Sequence, residues 1–152
     1  MLSDLKGILN SEGNKAVELY RQSFIDGNRV ATGKTNQSVG YSIEEGKNSL
    51  TFTVFGRKDI NQLEEGVSAE EYASNPATFS DLTQWIDAKG MNRTAESVDD
   101  GLRRNGWVSG NGEFGGTPNI ITTPTDIIVK SVIDKVTFSG KDLIVKQINI
   151  KI

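Results

Sequence analysis

The chain has 152 residues, a formal net charge of −3, and neither cysteine nor histidine. Without these residues there can be no disulfide, thiol nucleophile, imidazole base or Ser-His-Asp triad, and almost no transition-metal site. The length fits one domain spanning residues 1–152. Because only 36% of the residues are hydrophobic and 16 are glycine, we expect a thin core that gains stability from a partner subunit.

Charge is distributed unevenly along the chain. Residues 61–100 carry 2 basic and 9 acidic groups, whereas residues 101–152 carry 7 and 4. The pattern fits ordinary solvated surface, and it also fits a head-to-tail contact between copies in which unlike patches meet. The dispersed basic groups do not favour sequence-specific nucleic-acid binding. With no signal peptide and no apolar run of about 20 residues, we expect a soluble, intracellular product without a membrane partner.

The first predicted element is a long amphipathic helix over residues 3–25. Its apolar stripe includes Leu5, Leu9, Tyr20 and Phe24, which recur near helical spacing. Gly13 lies within the helix and is expected to weaken it. The polar stretch 30–36 that follows is expected to be irregular.

A β-hairpin is predicted over residues 38–56. Two runs that alternate apolar and polar residues flank the turn sequence Gly46-Lys47-Asn48. Together with the helices, the hairpin predicts an α+β fold. We expect a small antiparallel or mixed sheet, with the long N-terminal helix and a C-terminal helix packed on it.

The middle of the chain is predicted to be loop and short helix. An acidic segment, residues 60–76, is expected to be a loop with some helical turn. Ser80 is the expected N-cap of a helix that ends at Gly90, and a further helix covers residues 94–105.

A glycine-rich loop is predicted over residues 105–116. It carries Trp107 and Phe114, two aromatic residues that would offer a surface that orders on contact with a partner. The alternative is that Trp107 folds back beside Trp85.

The last predicted elements are a helix over residues 124–137 and a strand over residues 142–151. Pro124 suits the first helical position. The buried face of the helix is expected to consist of apolar residues: Ile127, Ile128, Val132, Ile133 and Val136. In the terminal strand, isoleucines that include Ile148 and Ile150 alternate with polar residues.

The triplet Gly33-Lys34-Thr35 suggests a phosphate-binding loop. Such a loop needs Gly, four residues and then Gly-Lys-Ser/Thr, with a strand before it and a helix after it. The first glycine would stand at position 28, which is Asn28. Because a helix is predicted before the triplet and a strand after it, the triplet is better interpreted as part of a turn.

Adjacent carboxylates occur at Glu44-Glu45, Glu64-Glu65, Glu70-Glu71 and Asp99-Asp100. Neighbouring residues on a strand or helix point in different directions, so most of these are interpreted as solvated acidic surface. No sequence pattern of a calcium-binding loop is present. We therefore expect no enzyme activity, with no catalytic, cofactor-binding or metal residues.

Thr32-Gly33 followed by Ser38 forms a Thr-Gly-x-x-x-x-Ser pattern between the predicted long helix and the first predicted strand. This pattern resembles a signature at the same place in tailed-bacteriophage minor tail and head–tail connector (tail completion) proteins. Leu63-Glu64-Glu65-Gly66 stands where the family has a Glu-x-Gly segment. The run 82–90, the helix ending at Gly106 and the late helix preceded by a proline are similar too. The aromatic-alanine pair before the Glu-x-Gly segment is replaced here by Ile60-Asn61-Gln62.

The resemblance implies a virion structural protein that forms a ring at the neck or upper tail. Its partners would be other copies of the chain and neighbouring neck and tail proteins, and it would pass through the host cytoplasm during assembly. Two alternatives stay open: a nucleotide- or phosphate-binding protein that uses Lys34, and a non-viral adaptor domain. The candidate interface residues are Thr32, Gly33, Lys34, Ser38, Trp107, Phe114, Ile148 and Ile150.

Overall fold

The predicted α+β class is confirmed by the computed structural model, which describes residues 2–27, 33–57, 60–108, 119–138 and 148–151. Helices and strands are mixed along the chain. In order, the elements of the described residues are α1 (Leu2–Asp26), α2 (Lys34–Ser38), β1 (Gly40–Glu45), β2 (Leu50–Phe55), α3 (Gln62–Glu65), β3 (Gly66–Val67), α4 (Ala69–Ser74), α5 (Phe79–Lys89), α6 (Ala95–Asn105), β4 (Trp107–Val108), α7 (Thr122–Phe138) and β5 (Ile148–Lys151).

The principal sheet has the strand order β1-β2-β5. Strands β1 and β2 form the predicted hairpin and pair antiparallel, from Gly40 opposite Phe55 to Glu45 opposite Leu50. Strand β5 lies on the other side of β2 and runs parallel to it, with Phe52 opposite Ile148. The sheet is therefore mixed, and β2 is its central strand.

Helix α1 lies against the hairpin, and α7 packs along α1. The main core fills the space between these elements, and its residues recur on one face of each helix and on one face of the sheet. The buried side chains of the main core are Leu5, Leu9, Ala16, Tyr20, Phe24, Val39, Phe52, Val54, Ile60, Leu63, Ile120, Ile128, Val132 and Val136.

Gly13 has a packing role that its helix propensity does not indicate. It faces the ring of Tyr41 so closely that a Cβ at this position would overlap the ring. A glycine in the middle of a helix costs about 1 kcal/mol relative to alanine. Here the absence of a Cβ lets α1 approach β1 closely, which explains why a glycine stands within the helix.

The prediction for α7 was wrong at two positions. Ile128, Val132 and Val136 are buried, whereas Ile127 and Ile133 are 48% and 42% exposed. The three buried residues are spaced four apart and share one face of the helix. At about 100° per residue, Ile127 and Ile133 both lie more than a quarter turn from the centre of that face, so they point away from the core.

A second, smaller unit consists of α4, α5 and α6 and is called the helical arm below. Leu82, Ile86 and Val98 form its buried core. The predicted N-cap at Ser80 was wrong. Thr78 has an extended backbone and its Oγ1 accepts a hydrogen bond from the N–H of Asp81 at 3.1 Å, so the helix begins earlier, at Phe79. Thr94 caps α6 in the same way.

The segment predicted as an acidic loop, residues 60–76, contains more regular structure than expected. It forms α3, β3 and α4, and Ser68 caps α4 by accepting from the N–H of Glu71. Strand β3 pairs antiparallel with β4, which begins inside the predicted glycine-rich loop. Gly106 precedes β4 with φ of 65°, and a Cβ there would collide with the backbone of residues 67–69.

Candidate functional site

The base of the hairpin is held by Ser38, the serine of the Thr-Gly-x-x-x-x-Ser pattern. Its Oγ donates to the carbonyl oxygen of Thr35 at 2.7 Å and accepts from the N–H of Arg57 at 3.1 Å. Arg57 follows β2, so one hydroxyl ties the end of α2 to the end of the hairpin. The serine is thus part of a structural joint.

Arg21 extends this joint to α1. Its Nε donates to the carbonyl oxygen of Asn36 at 3.1 Å, and its guanidinium also reaches the carbonyl oxygen of Val39 at 3.4 Å. A charged donor satisfies the backbone carbonyls where the chain passes from α2 into β1. The sequence analysis did not single out Arg21, because its acceptors are backbone atoms distant in sequence.

The prediction that the stretch up to Asn36 is irregular was wrong for its described part. Lys34–Ser38 form one helical turn, closed by the N–H of Gln37 donating to the carbonyl oxygen of Gly33 at 2.8 Å. Gly33 takes a left-handed conformation with φ of 79°, and Lys34 is exposed. The triplet thus leads into the short helix α2 and not directly into the predicted strand. In the described residues the element before it is α1, whereas a phosphate-binding loop follows a strand.

The remaining candidate interface residues are dispersed in the structure. Trp107 is half-buried in β4 and packs against the main core, so it neither lies on an exposed loop nor folds beside Trp85, which belongs to the helical arm. Thr32 and Phe114 lie outside the described residues. Ile148 and Ile150 belong to β5, at one edge of the principal sheet.

Glu64 was predicted to be solvated surface, and that prediction was wrong. One carboxylate oxygen accepts from the N–H groups of Ile121 and Thr122, at 2.7 and 2.8 Å, and the other accepts from Thr122 Oγ1 at 2.5 Å. These N–H groups open α7 and have no partner within the helix. Burial opposes ionisation of Glu64, but these hydrogen bonds outweigh it and hold the pKa below its usual value.

Glu12 is a buried carboxylate that the sequence analysis missed. It is 2% exposed and accepts hydrogen bonds from Ser131 Oγ at 2.6 Å, from Lys15 at 3.2 Å and from Lys135. Burial opposes its ionisation, but these donors outweigh the effect and hold the pKa below its usual value. The available signal was its position, because Glu12 interrupts the apolar stripe of α1.

Asp99, also predicted to be surface, is buried in the helical arm. It accepts from Tyr72 Oη at 2.9 Å and from Arg103 Nε at 2.7 Å. The Arg103 guanidinium holds the pKa of Asp99 below its usual value. Burial, together with the bond to Asp99, raises the pKa of Tyr72 to about 12. The group fastens α4 to α6.

Each of these three carboxylates stabilises the position or the end of a helix. Glu12 joins α1 to α7, Glu64 caps α7, and Asp99 joins α4 to α6. Among the described residues, no three His, Cys, Asp or Glu side chains are grouped as a metal site would require. Within the same residues, no helix has the length and apolarity needed to cross a membrane.

The two edges of the principal sheet are the remaining candidate site. Strands β1 and β5 each pair with β2 on one side, and no other described strand pairs with either of them. An edge strand presents unpaired backbone N–H and C=O groups that can bind another strand. The structure therefore offers two backbone surfaces for association, one on each side of the sheet.

Comparisons of the chain with protein-family models, with curated protein sequences and with solved structures gave no match.

Proposed function

We propose that the chain is a structural subunit of a tailed-bacteriophage virion. In this proposal it forms a ring at the neck or upper tail and acts in head–tail joining or tail completion. Its partners are further copies of itself and the neighbouring neck and tail proteins. It resides in the virion, and in the host cytoplasm during assembly.

The observation that carries the proposal is the mixed sheet with an open strand at each edge of its described part. A subunit with two different association surfaces can join others head to tail, and such contacts produce rings when the rotation closes. The motif resemblance supplies the virion context. Ser38, the serine of that motif, holds α2 to the end of the hairpin.

Three hydrogen-bonded carboxylates support a structural role. Glu12, Glu64 and Asp99 each accept hydrogen bonds from a residue of another helix. A carboxylate that accepts several hydrogen bonds from different parts of the same protein holds those parts in a fixed geometry. A ring subunit needs such rigidity, because small errors in subunit shape accumulate around a closed assembly.

Size-exclusion chromatography with light scattering tests the assembly. We expect a mass that is a defined multiple of the 16.6 kDa chain. Mass spectrometry of particles purified from cells that carry the gene tests incorporation. A chain that stays monomeric at every concentration and never occurs in a particle would overturn the proposal.

Calorimetry with ATP and magnesium separates the proposal from the phosphate-binding alternative. We expect no heat of binding, and Lys34→Ala should leave the oligomer mass unchanged. Saturable binding that Lys34→Ala abolishes, in a chain that does not oligomerise, would favour the alternative instead.

A further inference from the structure

We propose that copies of this chain join head to tail by strand pairing. The outer edge of β1 in one copy would pair antiparallel with the outer edge of β5 in the next, so that the principal sheet continues across the contact. This inference rests on the self-association in the proposed function and specifies the surfaces that carry it.

Both edges lack most of the features that protect an edge strand from pairing. Natural edges are blocked by prolines, by bulges, or by charged residues such as lysine within the strand. Gly40–Glu45 contain no proline or lysine, and all six residues pair with β2 in an unbroken register. The two charged residues of β1, Glu44 and Glu45, lie at its hairpin end, beyond the positions level with Ile148–Lys151. Ile148–Lys151 contain no proline, and their one lysine lies at the end. The described edges are therefore open to another strand.

Backbone alternation identifies the groups that β1 presents outward. The N–H of Gly46 donates to the carbonyl oxygen of Ser49, so these residues form a hydrogen-bonded pair at the end of the hairpin. Hydrogen-bonded pairs alternate with non-hydrogen-bonded pairs in an antiparallel ladder. Ser42 consequently bonds to β2, whereas the N–H and C=O groups of Tyr41 and Ile43 point to the open edge.

The same alternation applies to β5. Thr53 faces Ser42 and directs its backbone groups to β1, so those of Phe52 and Val54 point to β5. In a parallel ladder, Val54 bonds to the residues on either side of its partner Ile150. The backbone groups of Ile148 and Ile150 therefore point to the open edge of β5.

The two edges match when the sheet is continued without a shift. β1 runs antiparallel to β2 and β5 runs parallel to it, so β5 meets β1 of the next copy in the antiparallel sense. Ile148 then lies opposite Ile43 and Ile150 opposite Tyr41, as hydrogen-bonded pairs. Asn149 lies opposite Ser42 as a non-hydrogen-bonded pair.

This register also keeps the chemical pattern of the sheet. Ile43 and Tyr41 pair within their own copy with Phe52 and Val54, which are buried in the main core. The register thus places isoleucines of one copy opposite the apolar positions of the next, and polar Asn149 opposite polar Ser42. A two-fold contact between two β1 strands would instead leave every β5 edge open.

Cysteine cross-linking tests the register, because the natural chain contains no cysteine. Ser42→Cys and Asn149→Cys are made as separate single variants, mixed and oxidised. Adjacent strands are about 4.8 Å apart, so within one copy β1 and β5 are separated by about 9–10 Å across β2. Disulfides do not bridge Cα atoms more than about 7 Å apart, so a bond between the two positions must join different copies.

The expected result is a disulfide-linked dimer in the mixture that contains one chain of each variant. Each variant oxidised alone should stay predominantly monomeric on a denaturing gel. As a matched control, the double variant Thr53→Cys/Asn149→Cys should close within one chain, since these residues are direct partners in the β2–β5 ladder.

Three results would overturn the inference. The first is a mixture that does not cross-link while the control closes, and the second is a control that does not close. The third is dimerisation of Ser42→Cys alone, which indicates a two-fold contact. A defined oligomer by light scattering without the mixed disulfide would refute this interface and leave the ring proposal standing. Mixed disulfides in a chain absent from purified particles would support the interface and refute the virion role.

Discussion

The α1–sheet–α7 body and the helical arm are stabilised by different means. Among the described residues, the core of the body has 14 buried members, whereas the core of the arm has three, Leu82, Ile86 and Val98. The arm relies on helix caps at Thr78 and Thr94 and on the hydrogen-bonded group around Asp99. Regions with few buried apolar contacts open at lower free energy than the rest of a protein. Substitutions in the body should therefore lower the global free energy of unfolding, whereas substitutions in the arm should mainly increase its local opening.

The largest expected effect comes from removing a side chain in the centre of the body. Phe24→Ala should lower the free energy of unfolding by about 3–5 kcal/mol, because the side chain is fully buried and its loss leaves a cavity. Ile25→Ala is the matched control. Ile25 is the next residue of the helix and is 53% exposed, so this substitution should cost less than about 1 kcal/mol. Urea denaturation measures both. Equal losses would contradict the assignment of the core face of α1.

A smaller loss is expected when the buried charge between α1 and α7 is removed. Glu12→Gln should cost about 1–3 kcal/mol at neutral pH, because the donors from Lys135 and Lys15 lose a charged acceptor. Glu18→Gln, at an exposed position of the same helix, is the control.

The effect of Glu12 should depend on pH in a defined direction. Because its pKa is lowered in the folded state, its contribution is present above the usual glutamate pKa and is lost as pH falls through the folded value. The stability difference between the natural chain and Glu12→Gln should therefore shrink in acid. A difference that stays constant from neutral pH to about pH 3 would contradict the ionised state of Glu12.

Two glycines of α1 offer a paired test of how closely the helix approaches the sheet. Gly13→Ala should destabilise the chain by about 1–3 kcal/mol, because the added methyl group overlaps the ring of Tyr41. Gly7→Ala has open space and should stabilise it by up to about 1 kcal/mol through helix propensity. Thermal unfolding of both variants provides the measurement. Stabilisation by both substitutions would mean that α1 does not contact Tyr41.

The carboxylate that opens α7 should show a moderate effect. Glu64→Gln should cost about 0.5–2 kcal/mol, the range for losing a helix cap, because Glu64 satisfies the first N–H groups of α7. The adjacent exposed residue provides the control, and Glu65→Gln should be nearly neutral. Denaturant midpoints of the two variants distinguish them. A larger loss of stability for Glu65→Gln than for Glu64→Gln would contradict the assignment of Glu64 as the cap of α7.

The smallest effect is expected in the helical arm. Tyr72→Phe removes the hydroxyl that donates to Asp99 and should cost about 1 kcal/mol. Amide hydrogen exchange should accelerate in α4–α6 more than in α1 and α7. Uniform acceleration across both regions would show that the arm and the body open together.

Tyr72 also gives the arm a pH dependence in the alkaline range. Its pKa is raised to about 12, so its stabilising contribution is complete below the ordinary tyrosine pKa of 10 and is lost as pH rises toward 12. Ultraviolet absorbance titration should show a tyrosine that ionises near pH 12, and Tyr72→Phe should remove that step. Ionisation of Tyr72 near pH 10 would contradict its burial and its bond to Asp99.

Local patterns in the sequence were sufficient for much of the fold. The long helix, the hairpin and the helices over the second half were predicted because apolar spacing and turn residues act over a few positions. The terminal strand was predicted from the alternation around Ile148 and Ile150. That this strand lies parallel to β2 was not predicted, because its partner is almost 100 residues distant in sequence.

Several of the errors arise from contacts between segments that are distant in sequence. Glu64 and Asp99 were assigned to the surface because acidic pairs usually are, yet Glu64 accepts from the N–H of Ile121 and Asp99 accepts from Tyr72. Trp107 was assigned to an exposed loop because glycines surround it, yet the β3–β4 ladder brings it against the main core. Composition around a residue does not reveal such partners.

The sequence by itself determined where the long helix, the hairpin and the helices α5 to α7 form, since the apolar periodicity of these elements is set by neighbouring residues. It also determined which chemistry is impossible for a chain without cysteine and histidine. Only the tertiary structure decided that Glu12 joins α1 to α7 and that the ring of Tyr41 packs against Gly13. It also decided that β5 forms one edge of the principal sheet while β1 forms the other. Each of these depends on side chains or strands brought together by folding, and folding selects among many compatible partners.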